Sequence, residues 1–313
     1  MLKLYCLALL LALAGCATRP PARLQVAAGY CDPPLPYRYD PAYSPQPNFE
    51  AALTPELLAR YPRRNLLTAN AAGILPLLRA LLALEAQARQ HPGPAAELAV
   101  LRQRQHIAAQ VALVSTTVAS VAAELDCEGE RADQVAGYLN EQDSHRTQRL
   151  NVLSISIGAA SGIGTTVIDN QPAQYAFGIG GGLLAAGLGL LTLTGGHAIE
   201  FDHPRNLLAE VWNEKPTSAL FPPSVWYMLT EPAFSNSGQT AIAHNTRRRW
   251  EHYGQLAHPE SKDGQKLAAL LFGAGGQYSA DQLTVRANML NELQSAVRLL
   301  NQELQGLLLA LNE

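Results

Sequence analysis

The chain has 313 residues, a net charge of -3, and 16% charged against 48% hydrophobic side chains. An average protein carries roughly 25% charged residues, so this low level and its sign give no electrostatic footprint for nucleic acid. The hydrophobic fraction excludes wholesale disorder, and a chain of this length buries enough surface to fold, as one or two domains, without help from disulfides.

Residues 1–15 open with a short positive region at Lys3 and continue as an apolar run from Leu4 to Ala14. That run is too short for a spanning helix, which needs about 20 residues, and has the length of a secretory signal. It ends Leu13-Ala14-Gly15-Cys16, which resembles the lipobox of bacterial lipoproteins. The resemblance implies cleavage before Cys16, diacylglycerol on its thiol and acylation of the new N-terminus, which makes membrane lipid a partner. Ala17 stands where an aspartate would resemble an inner-membrane retention signal. The implied location is therefore the outer membrane of a Gram-negative cell, facing the periplasm. With Cys6 removed in the signal and Cys16 lipidated, Cys31 and Cys127 remain. In an oxidising compartment two leftover thiols predict a disulfide. No CxxC occurs, and no metal site or cofactor is expected.

Residues 16–49 hold eight prolines and five aromatics. Proline at this density favours extended backbone, so the stretch reads as a lipidated tether whose middle Cys31 pins to the body. Residues 50–313 read as a helical domain. Pro76 opens a helix that stops at His91-Pro92-Gly93-Pro94. In the next helix Val100, Ile107, Val114 and Val121 share one heptad position, and Val111, Val118 and Leu125 its partner, a coiled-coil seam. A hairpin turn is expected at Asp126-Cys127-Glu128-Gly129, which would place Cys127 at a bundle tip.

The segment 150–199 is unusual. Its fifty residues contain one formal charge, Asp169, within the turn sequence Asp169-Asn170-Gln171-Pro172. Arms of 17 and 22 residues (152–168 and 173–194) would reach roughly 25 and 33 Å, near the 30 Å of a bilayer core. Small residues recur every fourth position: Ser154, Gly158 and Gly162; Gly178, Gly182 and Ala186; Gly181, Ala185 and Gly189. Such spacing lets helix backbones approach closely. Nine glycines lie in these arms, each costing about 1 kcal/mol against alanine in a helix in water. The hairpin therefore needs either lipid or burial in protein, and both readings stay open.

Short helices are expected at Pro204–Trp212, Pro223–Leu229, Ala241–Tyr253 and Gln265–Phe272, with a break at Gly273–Gly276. The C-terminal helix, 279–312, is capped by Ser279. Leu283, Leu290, Val297, Leu304 and Leu311 repeat at sevens, while Leu293, Leu300 and Leu307 fill the second seam position, where Arg286 is an exception. Its partner helix is internal or, alternatively, another copy or an envelope protein. No segment alternates as a strand. The class is all-α, an elongated helical bundle with an apolar hairpin.

Other motifs carry less. Gly158 to Gly164 looks like the cofactor turn of short-chain dehydrogenases, but a polar helical stretch precedes it and no acidic residue follows at ribose distance. His197, Glu200, Asp202 and His203 match no metal-ligand spacing. Arg247-Arg248-Arg249-Trp250 reads as a charged helix face with Trp250 buried. No GxSxG elbow or Walker loop is present, and an enzyme is not expected. A long helix, a glycine-rich hairpin and further helices together resemble, in architecture alone, the helical pore-forming toxins. The expected role is structural or interaction-mediating, with the hairpin contacting membrane or partner helices; the alternative is an oligomeric membrane-inserting hairpin.

Overall fold

The computed structural model describes residues 29–33, 37, 39–193, 196–252, 256 and 258–312. The signal and Cys16 lie outside them. The described residues form ten helices and one two-stranded sheet: α1 (Pro55–Arg60), α2 (Arg63–Ala71), α3 (Leu75–Gln90), α4 (Pro94–Val167), α5 (Gln171–Leu191), β1 (Ala198–Asp202), α6 (Leu207–Asn213), α7 (Pro223–Thr230), α8 (Ile242–His252), α9 (Lys262–Phe272), β2 (Gly275–Ser279) and α10 (Ala280–Asn312). The fold is all-α.

The organising element is α4. It starts at Pro94, where a missing N–H is no loss, and continues for 74 residues, roughly 110 Å. The turn expected at Asp126–Gly129 does not form. Gly129 serves close packing instead, because a Cβ there would meet Asn291 Oδ1 of α10 at 2.7 Å. Glu128 accepts two bonds from Arg131 one turn on, at 3.1 and 2.8 Å, in a buried ion pair that only a continuous helix aligns. Cys127 therefore lies on the flank of a helix. Its sulfur is 2.00 Å from that of Cys31, so the expected cysteine pair is joined.

The seam of α10 finds its partner inside the chain. Leu283, Leu290, Leu293, Val297, Leu300, Leu304 and Leu307 are buried, facing Ile107, Val111, Val114, Val118, Val121 and Leu125 of α4. Gln294 Nε2 donates to Asp126 Oδ1 (2.6 Å) and Ser115 Oγ to Asn301 Oδ1 (2.8 Å), which sets the two helices antiparallel. Ser279 and Gln282 begin α10 with reciprocal side-chain-to-backbone bonds, a capping box. The shorter helices and α3 complete one core around this pair.

Much of the stretch expected as tether is docked. Tyr37 donates to Glu124 of α4, Asn70 exchanges two bonds with the Gln46 backbone, and Gly73 (φ +69) leaves room for the Tyr43 carbonyl.

The small sheet was not expected. β1 and β2 pair antiparallel with Phe201 opposite Gly276. Gly275 and Gly276 lie at φ +131 and +151, a conformation that favours glycine. Two glycines in a five-residue strand erase the alternation that would mark it in the sequence.

Candidate membrane-contact hairpin

Fully buried residues of α4 end at Leu139. Beyond it, the helix packs along α5, and α5 has no buried residue among those described. The two form a projecting antiparallel hairpin. Of the twenty-two exposed large hydrophobic side chains among the described residues, thirteen lie between Val152 and Leu193. Ile155, Ile163, Val167, Leu183 and Leu193 are each more than 60% exposed. Exposed apolar surface on this scale exceeds the singly scattered hydrophobic side chains of an ordinary protein surface. The hairpin is thus not a core hairpin within its own chain. By length and composition alone, α5 could cross a membrane.

The arms meet along a seam of small residues. Leu150, Ser154, Ile157, Ser161 and Gly164 of α4 and Ile168 just beyond it alternate at four and three, all at least half-buried. Ser154 Oγ donates to the Ala185 carbonyl (2.8 Å). A Cβ on Gly181 would overlap Ser161 Oγ, one on Gly178 would press on Thr165, and Phe177 lies across Gly164. Ser154, Gly178, Gly181 and Ala185 of the expected packing set are thus the internal seam. Gly158, Gly162, Gly182 and Gly189 have open space where a Cβ would stand, and Ala186 is exposed. That second group faces away from the partner arm. Ser161, Gly164 and Phe177 were missed in the sequence, although the first two continue a heptad of the kind traced earlier in α4.

At the tip, Asn170 caps α5 by accepting from Ala173 N, and Gln174 Nε2 donates to the Ile168 carbonyl (2.6 Å). Asp169 is the one charge there. The root is polar. Asp143 binds both the His197 backbone N–H (2.8 Å) and its Nδ1 (2.5 Å), and Arg146 donates to the Leu191 carbonyl (3.4 Å). Arg149 is exposed one turn closer to the apolar arm. Apolar arms between a lightly charged tip and a charged collar have the polarity of a one-sided membrane hairpin.

The root is bolted to the body by a buried network. Tyr278 Oη donates its one proton to the Leu270 carbonyl (2.9 Å), so His203 Nε2–H donates to Tyr278 Oη (2.8 Å). Burial, with the cations Arg286 and Arg131 nearby, holds the His203 pKa down to about 3, so the ring is neutral. Burial pushes Tyr278 up to about 12. Arg131 stacks on the Phe201 ring (3.9 Å) and donates to the Asp202 carbonyl (3.0 Å). Arg286, the seam exception, is 1% exposed; with Asn206 it binds the Leu271 carbonyl at the end of α9. A cation suits that end of a helix. Burial lowers its pKa to about 10, where it still keeps its charge at neutral pH.

The four metal-capable residues near here go to separate duties. His197 pairs with Asp143 and His203 with Tyr278, while Glu200 and Asp202 are exposed. Trp250 is buried, and the arginines before it are ion-paired: Arg247 with Glu214 and Glu251, Arg248 with Glu251, Arg249 with Glu292.

No protein-family model matches this chain, and no curated protein or solved structure does.

Proposed function

We propose that this protein is a lipid-anchored scaffold or accessory protein of the Gram-negative envelope, held at the outer membrane by acylated Cys16 and facing the periplasm. Its hairpin enters a bilayer from one side. The observation that carries this reading is the exposure of both arms: α5 has no buried side chain, and away from its seam with α4 its apolar residues face outward. A helix apolar on every face belongs in protein or in lipid, and among the described residues α4 covers one face of α5 only. In lipid the glycine cost falls away, because every backbone bond closes within its own arm.

The test is flotation of the purified protein with vesicles of envelope phospholipids. The wild type should float. A variant carrying Ile163→Asp and Leu183→Asp should stay at the bottom, since each carboxylate in the hydrocarbon costs about 3 kcal/mol on insertion scales. Equal flotation of both, with acyl chains absent, removes the reading.

A second reading rests on the outward small residues. Gly158, Gly162, Gly182 and Ala186 offer a face to another hairpin, as an oligomeric membrane-perforating assembly would need. Dye release from vesicles separates the two. Release abolished by Gly158→Leu favours perforation; no release at any pH favours the scaffold.

A further inference from the structure

The disulfide turns the unstructured question of where the lipid sits into one of reach. It fixes the lipidated N-terminus to the flank of α4 at Cys127, with Cα atoms of the two cysteines 5.6 Å apart. Fifteen residues separate Cys16 from Cys31. Fully stretched they span about 54 Å. From Cys127 the collar at Arg146 is 19 residues along one continuous helix, about 29 Å. The opposite end of the same helix, Pro94, is 33 residues away, about 50 Å. The lipid therefore reaches the plane of the collar with about half of that full span. A membrane beyond the Pro94 end would hold that tether almost taut.

We propose, resting on the membrane reading above, that the hairpin and the acyl chains of Cys16 occupy the same bilayer. The hairpin then does not bridge to a second membrane. It adds a second, rigid foot beside the lipid and sets α4 upright, with the paired α3, α4 and α10 carried away from the surface. The disulfide is the ruler of this arrangement, because it brings the lipid within range of the collar.

The full-length acylated protein, its lipid verified by mass, carries a fluorophore on Ile163→Cys, a thiol free for labelling while Cys31 and Cys127 are paired. It is reconstituted in vesicles of phosphatidylethanolamine and phosphatidylglycerol and mixed with protein-free vesicles, and brominated lipid is placed in one population or the other. Quenching should come from the protein's own vesicles. Quenching from the protein-free vesicles, with vesicle clustering, overturns the shared bilayer while the membrane reading stands. Quenching from neither overturns both. A shortened tether gives an independent check. Deleting residues 18–27 leaves five residues, about 18 Å at most, which even with the disulfide's 5.6 Å falls short of the collar. Quenching should then fall by about half or more, and ten Gly/Ser residues in their place should restore it. Quenching unchanged by the deletion overturns the proposal.

Discussion

Gly181 lies directly against Ser161, with no room for a side chain between the two arms of the hairpin. Its neighbour Gly182 faces open space. The pair separates two roles that one sequence motif conflates. Gly181→Leu should force the arms apart, overpacking by about 1–3 kcal/mol, and trypsin should cut at Arg146 or Arg149 roughly tenfold faster. Gly182→Leu should leave the cleavage rate unchanged. Limited proteolysis in detergent measures both, and equal rates for the two variants would remove the seam as described.

The buried His203 makes stability depend on pH. Its folded pKa of about 3 lies below the ordinary 6.5, so the unfolded chain binds the extra proton. The stabilisation is complete above pH 6.5 and is lost as the pH falls from 6.5 toward 3. At pH 5 the loss is about 2 kcal/mol. Denaturant midpoints of the wild type should fall across that window, and those of His203→Gln should fall less. Parallel profiles would contradict the assignment.

Glu128 and Arg131 stand where a turn was expected. Glu128→Gln leaves a buried guanidinium without its carboxylate and should cost about 3–5 kcal/mol. Since Arg131 also holds Phe201 and the Asp202 carbonyl, the loss should loosen β1 at the hairpin root. Amide exchange at Ile199 and Phe201 should accelerate in this variant, and protection equal to the wild type would refute the link.

Cys31 and Cys127 close a loop with a sequence separation of 96, for which the chain-entropy account gives about 4–5 kcal/mol. Cys31→Ser should lower the denaturation midpoint accordingly and expose Tyr37, whose bond to Glu124 lies six residues on. Tyrosine iodination reports that exposure.

The helical seams were readable because a seven-residue repeat of Val, Ile and Leu has one physical meaning, and α10 buries seven of those positions against α4. The cysteine pair was readable because the lipobox resemblance set the other two thiols aside. The turn at Asp126–Gly129 was misread because Asp, Gly and a cysteine are turn residues only where packing does not overrule them. Here Asn291 fills the space beside Gly129, and Arg131 secures Glu128. The sheet was hidden by Gly275 and Gly276. The root network was illegible because His203 lies 75 residues from Tyr278 and meets it only in the fold. Which small residues face inward was equally invisible: Gly181 and Gly182 look alike until the arms are registered.

On the proposed reading the hairpin enters lipid without help from the anchor. Residues 17–313, lacking Cys16, are secreted to the periplasm and the membranes are washed with alkaline carbonate. The protein should remain with the membranes through the wash. A soluble, monodisperse protein that needs no detergent would contradict the account.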